Sequence, residues 1–245
     1  MTSYPKILLL ALIVTTMPPA ALAEEEPARN WTDAAEFSYV KTGGNTQLET
    51  LSFKDLLTVK HNENWQSSLK LAALNGKSDG VRNSESYKAE LRSDYSLSQH
   101  IYTMIIAGWM KDSFAGIDAR YNLGPGLGYK WLTGPKHILN NEAGLELVHE
   151  KHPDSSTDDF LRGRLFALYQ YNFSKKNTFS QSLEYLYDFD SSTNYNINTE
   201  TAITSSLNSY WSLKASYEIN YDNQPIPSTL EKKDTILTVA LVLNI

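Results

Sequence analysis

From Leu213 to Tyr221 the chain alternates without exception: Leu213, Ala215, Tyr217, Ile219 and Tyr221 are separated by Lys214, Ser216, Glu218 and Asn220. Successive side chains of an extended strand point to opposite faces, so this spacing predicts a strand with one apolar and one polar face. The pattern returns between Asp118 and Trp131. Ala119, Tyr121, Leu123, Leu127, Tyr129 and Trp131 share one face there, and Asp118, Arg120, Asn122, Gly124, Gly126, Gly128 and Lys130 share the other. It returns again from Tyr87 to Leu97, where Lys88, Glu90, Arg92 and Asp94 fall on the face opposite Tyr87, Ala89, Leu91 and Tyr95. Three such runs commit the chain to an all-β fold.

Turn residues divide the chain into about twelve runs of this kind. They are expected near 31–43, 47–60, 64–76, 84–97, 100–112, 116–131, 137–150, 159–173, 178–190, 195–208, 212–222 and 234–245. The connections alternate in character. Those at His61–Asn64, Ser98–Gln99, Thr133–Lys136, Ser174–Asn177 and Asn208–Trp211 are tight, whereas Gly76–Asn83, His152–Asp158, Ser191–Asn194 and Asn223–Lys233 are longer or richer in turn residues. An even strand count with short turns at one end and longer loops at the other is the pattern of a single up-and-down antiparallel barrel that crosses a bacterial outer membrane.

The first residues read as an address for that membrane. Lys6 precedes an apolar run from Ile7 to Val14, Pro18 and Pro19 break it, and Ala21-Leu22-Ala23 has the small-x-small pattern that a signal peptidase cleaves. The run is too short to span a bilayer as a helix, which takes about 20 apolar residues. The expected organisation is a signal peptide over 1–23, a short periplasmic segment over 24–30 that begins with Glu24-Glu25-Glu26, and a barrel over 31–245.

Composition narrows the reading. With no cysteine there is no lipidation site, disulfide or thiolate metal site. Cleavage after Ala23 removes one of the 22 basic residues and none of the 28 acidic ones, which takes the formal charge from −6 to about −7 and argues against nucleic acid as a partner. A mean hydropathy of −0.39 is what a barrel wall produces, because only every second wall residue has to be apolar.

The tryptophans form a separate signal. Trp31, Trp65, Trp131 and Trp211 fall at one set of expected strand ends and Trp109 near the other, as in the aromatic girdles where indole sits between headgroup and hydrocarbon. The polar faces carry charges of both signs. Lys88, Glu90, Arg92, Asp94, Arg120, Lys130, Glu142, Glu146, Arg162, Arg164, Glu184 and Glu218 are the candidates to line or plug a lumen, with Lys54 and Lys70 on the same face. In a soluble sandwich or closed β-domain the same face would simply meet water, so the charges do not by themselves decide between the two.

Several motifs also resemble a known family. Thr42-Gly43-Gly44-Asn45-Thr46, Leu91-Arg92-Ser93-Asp94-Tyr95, Lys111-Asp112-Ser113-Phe114-Ala115-Gly116, Arg120, the Gly124-x-Gly126-x-Gly128-Tyr129 stretch, Glu142-x-Gly144 and Asp234 are similar to the salt-induced outer-membrane proteins, domain of unknown function 481. The resemblance covers essentially all of the chain after the signal. It implies an outer-membrane barrel and a link to osmotic or envelope stress, and it implies no catalytic residues. Lys111 stands where the family pattern has arginine. Ile245 closes the chain where outer-membrane barrels carry Phe or Trp for the assembly machinery to read.

Other chemistry is sparsely signalled. Gly124-x-Gly126-x-Gly128 lacks the strand-to-helix setting of a phosphate loop and reads instead as room inside a crowded lumen. His149 and His152 lie near Glu150, Asp154, Asp158 and Asp159, a set that could activate water, and an outer-rim enzyme site around His149 and Asp188 is the competing reading. His61, His100 and His137 are expected to be solvated turn residues. The main expectation is a narrow polar channel or a structural envelope barrel, with a closed barrel as the further alternative. No cofactor or metal is expected. The expected partners are outer-membrane lipid and lipopolysaccharide, the barrel-assembly machinery, and small ions or solutes.

Overall fold

The computed structural model describes residues 29–41, 48–226 and 228–245. The expected signal peptide and the Thr42–Thr46 turn lie outside these. Twelve strands follow one another: β1 Trp31–Lys41, β2 Leu48–Lys60, β3 Trp65–Ser78, β4 Val81–Ser96, β5 Ile101–Asp112 and β6 Ile117–Thr133. The second half comprises β7 His137–Lys151, β8 Thr157–Asn172, β9 Asn177–Asp188, β10 Tyr195–Ser206, β11 Trp211–Asp222 and β12 Lys233–Asn244. Each strand pairs antiparallel with its sequence neighbours, and β1 closes the barrel against β12.

One rule of parity organises the wall. Registered partners such as Glu36↔Lys54, Lys70↔Glu90, Glu146↔Arg162 and Lys214↔Ala240 are all even-numbered. Because the side-chain period is two, a register that keeps parity keeps the same face inside from strand to strand. Even-numbered residues therefore point inward around the barrel and odd-numbered ones outward, apart from short stretches beyond the register shifts at Gly76/Lys77, Met110/Asp112 and Lys130/Leu132.

The consequence decides the environment of the protein. Leu91, Ile105, Leu123, Leu127, Leu145, Leu147, Leu165, Leu183, Ile203, Leu237 and Val239 all lie on the outside and are exposed, Leu237 by 77%. Buried apolar surface stabilises by about 25 cal/mol per Å², and soluble monomers rarely expose apolar patches beyond a few hundred Å². A continuous apolar belt around a polar interior is the inverse of a soluble barrel. It is stable only where hydrocarbon covers it.

The two rims differ less regularly than the sequence suggests. At the rim holding both ends of the barrel, the connections are 61–64, 97–100, 134–136, 173–176 and 207–210. At the opposite rim they run from the pair Asp79–Gly80 to the long loop 223–232. The long loop expected over Gly76–Asn83 is thus replaced by a two-residue turn. Asp79 and Gly80 take φ of 50° and 81°, the conformation whose twist matches that of paired strands, so β3 and β4 zip together almost to the tip.

Candidate functional site

The lumen is built by contrast in side-chain size. On β5 the inward face is apolar, and register sets Tyr102 opposite Gly128, Met104 opposite Gly126 and Ile106 opposite Gly124. A side chain at Gly128 would collide with the Tyr102 ring, and one at Gly126 would collide with the Met104 methyl. The glycines of β6 are the floor on which the β5 side chains lie. Sequence reading of β5 misses this because β5 is apolar on both faces. The available signal was the glycine spacing two residues apart on the next strand.

Across this floor run the charges. Arg92 on β4 bonds Asp94 at 2.7 Å and reaches over β5 and β6 to Glu142 on β7, with Nη2 2.7 Å from Oε1. The Tyr102 hydroxyl donates to the same Glu142 oxygen at 2.7 Å. Arg164 on β8 bonds Glu142 through Nη1 at 2.8 Å and Glu184 on β9 through Nε at 2.7 Å. Asn198 on β10 donates to Glu184 at 3.0 Å. The result is one ladder, Asp94–Arg92–Glu142–Arg164–Glu184, in which each charge touches the opposite sign.

A second ladder crosses the closing seam. Lys214 bonds Glu36 and Glu200, each at 2.8 Å, and Lys54 bonds Glu200 at 3.5 Å and also Glu218. The inward residues that this ladder spans near the seam are small or β-branched, with Ser38, Ser216, Thr238 and Ala240 all buried. Charges buried this deeply persist only when paired, and in both ladders each charge has a partner of opposite sign.

The candidates named from sequence are distributed as follows. Lys88, Glu90, Arg92, Asp94, Lys130, Glu142, Arg164, Glu184 and Glu218 border one cavity of about 1470 Å³. Arg120, bonded to Glu150, and Arg162, bonded to Glu146 at 2.5 Å, belong to a filled layer nearer the long-loop rim with Ile106, Ile117, Val148 and Leu186. Among the described residues Lys88 and Lys130 make no ion pair, and the Lys130 ammonium lies 5.3 Å from the Tyr102 ring. The second ladder rests on Glu36, Glu200 and Lys214, which sequence reading did not single out, because nothing along the chain shows which strands face each other across the lumen.

The cavity runs along the barrel wall as far as Ser86 and Asp112 near the long-loop rim. It reaches the short-turn rim, where Lys60, Asn62, Asn64 and Gln66 line it. None of the described loop residues at the other rim lines it. Of the described residues that follow β11 there, Ile226 and Leu230 reach the β5–β6 hairpin, which the strand order places on the opposite wall. A side chain at Gly116, whose φ is 72°, would collide with the Ile226 carbonyl oxygen and lie 3.7 Å from a Leu230 methyl. Gly116 ends the Lys111–Gly116 motif, so the motif is where the loop lands.

Beside that contact sits His152, buried to 3% exposure. Its Nδ1 is 3.2 Å from the Gly116 carbonyl oxygen, and its Nε2 is 2.9 Å from an Asp158 carboxylate oxygen. Both neighbours are acceptors, an arrangement that favours the imidazolium, in which both ring nitrogens donate. Burial opposes that charge, but the bonds to Asp158 and Gly116 and the nearby Glu150 outweigh it and raise the His152 pKa above its ordinary value.

The other expected groupings separate. His149 is on the outer face, bonded to Asp159 at 2.6 Å, whereas Asp188 is inward and buried, bonded to Asn194 at 2.9 Å in its own turn. The parity rule puts these two on opposite sides of the wall, so the suggested enzyme site around them does not assemble. Trp31, Trp65 and Trp211 begin their strands and Trp131 lies two residues from the end of β6, all exposed at the short-turn rim, with Trp109 three residues from the far end of β5. The rim histidines are more than solvated turn residues. His61 packs at a tilt against Trp65, while His100 stacks on Tyr129 and His137 on Tyr169 and Tyr171.

Known proteins share this architecture. An outer membrane channel of Pseudomonas putida F1 superposes with a TM-score of 0.57 at 9% identity, over 94% of this chain and all of that one. The translocator domain of the autotransporter NalP from Neisseria meningitidis gives 0.53 at 11% identity, over 90% and 89%. At such identities the likeness is one of fold, that of outer-membrane β-barrels. In sequence, the uncharacterized protein YdiY of Escherichia coli (strain K12) is 28% identical over 204 residues, 83% of this chain and 79% of that protein. Residues 35–245 match the family described as Protein of unknown function, DUF481, and the chain belongs to that family.

Proposed function

We propose that the protein is a narrow outer-membrane channel for small polar solutes, oriented with its short turns in the periplasm and closed at the outer mouth by loop 223–232. The observation that carries this is the cavity of about 1470 Å³, bordered by both charge ladders and reaching the short-turn rim. A barrel serving only as a plug in the membrane has no need of a solvated lumen. Twelve strands are intermediate between small filled barrels and water-filled porins, which fits a partly filled passage. Fixed charges alternate along each wall and do not segregate by sign, so the lumen sets up little net field for either ion. Weak ion selectivity follows. A link to salt stress belongs to the same proposal, because the more exposed luminal pair Lys70–Glu90 weakens as ionic strength rises.

The test is single-channel recording of the refolded protein in a planar bilayer, with heat-modifiable gel migration to establish folding. Discrete steps with low selectivity between cations and anions are expected. A folded barrel that stays silent even after loop 223–232 is shortened overturns the channel reading.

A further inference from the structure

We propose that the outer wall of β5–β9 holds an anionic phospholipid of the periplasmic leaflet, a reading that rests on the membrane orientation proposed above. The wall is not smooth there. Registered outward residues run Ile101–Tyr129–Asn141–Ala167–Leu183 in one row and Leu127–Ala143–Leu165–Tyr185 in the next. Asn141, Ala143 and Ala167 are short where their neighbours are long, and they form the floor of a groove of about 660 Å³ with Tyr129, Trp131, Leu183 and Tyr185 as walls. A groove with apolar walls at this depth accepts an acyl chain.

What lies at its periplasmic end supplies the headgroup chemistry. The three turns that bound β5–β9 on that rim, 97–100, 134–136 and 173–176, carry Lys136, Lys175, Lys176 and His100, all exposed, and no carboxylate. Between lysines and groove lies a belt of rings, with His100 on Tyr129, His137 on Tyr171, and Tyr171 edge-on to Phe173. The Lys136 ammonium is held 5.6 Å from the Tyr171 ring, at the height where such a belt meets the headgroups. The order cation, ring belt, apolar groove is that of phosphate, glycerol and acyl chain in a phospholipid. Basic clusters beside a membrane-embedded wall favour anionic over zwitterionic headgroups. The groove and the lysines together therefore select phosphatidylglycerol or cardiolipin over phosphatidylethanolamine.

Native mass spectrometry of the full refolded chain, offered dioleoyl phosphatidylglycerol or dioleoyl phosphatidylethanolamine at equal concentration, tests this. The wild-type barrel is expected to retain phosphatidylglycerol with a preference on the order of ten-fold. Substituting the exposed turn lysines together, Lys136→Gln, Lys175→Gln and Lys176→Gln, is expected to abolish the preference. Ala143→Phe, which fills the groove, is expected to reduce retention of both lipids. Equal retention of the two lipids by the wild type, or a preference that survives both sets of changes, overturns the site. Failure of the wild type to insert into vesicles at all instead overturns the membrane reading on which the site rests.

Discussion

The phenol ring of Tyr102 lies directly over the α-carbon of Gly128, its partner in register, and its hydroxyl donates to Glu142 at 2.7 Å. A ring can lie flat against the barrel wall only where the facing residue has no side chain. The same absence lets Arg92 pass over two strands to reach Glu142.

Gly128→Ala should push the ring off the wall. Overpacking of this kind costs about 1–3 kcal/mol, and the Tyr102–Glu142 bond should be lost with it. Tyr102→Phe alone should cost about 1–2 kcal/mol. Urea-dependent refolding into micelles gives both values. Tyr102→Ala should relieve most of the Gly128→Ala penalty, and additive losses in the double variant would show that ring and glycine are not coupled.

Glu142 is the node of the first ladder, its side chain only 4% exposed and shared by Arg92, Arg164 and Tyr102. Glu142→Gln leaves two buried guanidinium groups facing a neutral amide. A loss of about 3 kcal/mol is expected, near the lower end of what breaking a buried pair costs, because the cavity admits water to one side. Lys70→Gln removes a partner from a more exposed pair, Lys70–Glu90 at 3.6 Å, and should cost well under about 1 kcal/mol. Equal losses in the two variants would argue against a cooperative ladder.

The outer closure predicts how current should respond. Replacing Asn223–Glu231 by Asn-Gly removes the segment that touches Gly116 while leaving a turn of hairpin length. Conductance or open probability should rise several-fold over wild type. Gly116→Val, for which the Ile226 carbonyl oxygen leaves no room, should shift the loop and raise open probability in the same direction. If wild type conducts and the shortened loop leaves its steps and open probability unchanged, the filled layer around Arg162 and Ile106 forms the constriction instead.

His152 gives the outer rim a pH dependence of definite sign. Its pKa is raised in the folded state, so protonation stabilises the fold. That contribution is fully present below the ordinary histidine value near 6.5 and is lost as pH rises through the higher folded-state value. The charged groups that face it are Asp158 on β8 and Glu150 on β7, the latter with its Arg120 partner on β6. Hydrogen exchange at 152–156 should accelerate as pH rises from about 6 to 9 beyond the intrinsic chemical rate. His152→Gln should exchange quickly throughout, and a pH-independent ratio between the two proteins would refute the ion pair.

Strand number and strand position were legible in the sequence, since a two-residue period interrupted by turn residues is a local property. The tryptophan positions at strand ends were legible for the same reason. Asp79–Gly80 was not, because a Gly- and Ser-rich stretch fits either a loop or two strands meeting in a tight turn, and only cross-strand pairing chooses between them. The ladders were legible as a set of charges and not as a set of pairs. Lys54 meets Glu218 across 164 positions and Lys214 meets Glu36 across 178, and that proximity exists only once β1 has closed on β12.

What the sequence determined by itself is therefore the alternation, the strand count and the chemistry of the two faces. The charged face was expected inward from the sequence, and closure of the ring is what held it there. Alternation fixes that the faces differ, and a soluble barrel could be made from the same strands with leucines inside. Apart from the short stretches beyond the three register shifts, the tertiary structure places even-numbered side chains in the lumen, so the ion pairs find partners across the barrel and the apolar belt is left to the lipid. The physical reason is that a charge without its partner in a barrel interior is costly, and the partners come within reach only when the strands have formed a ring.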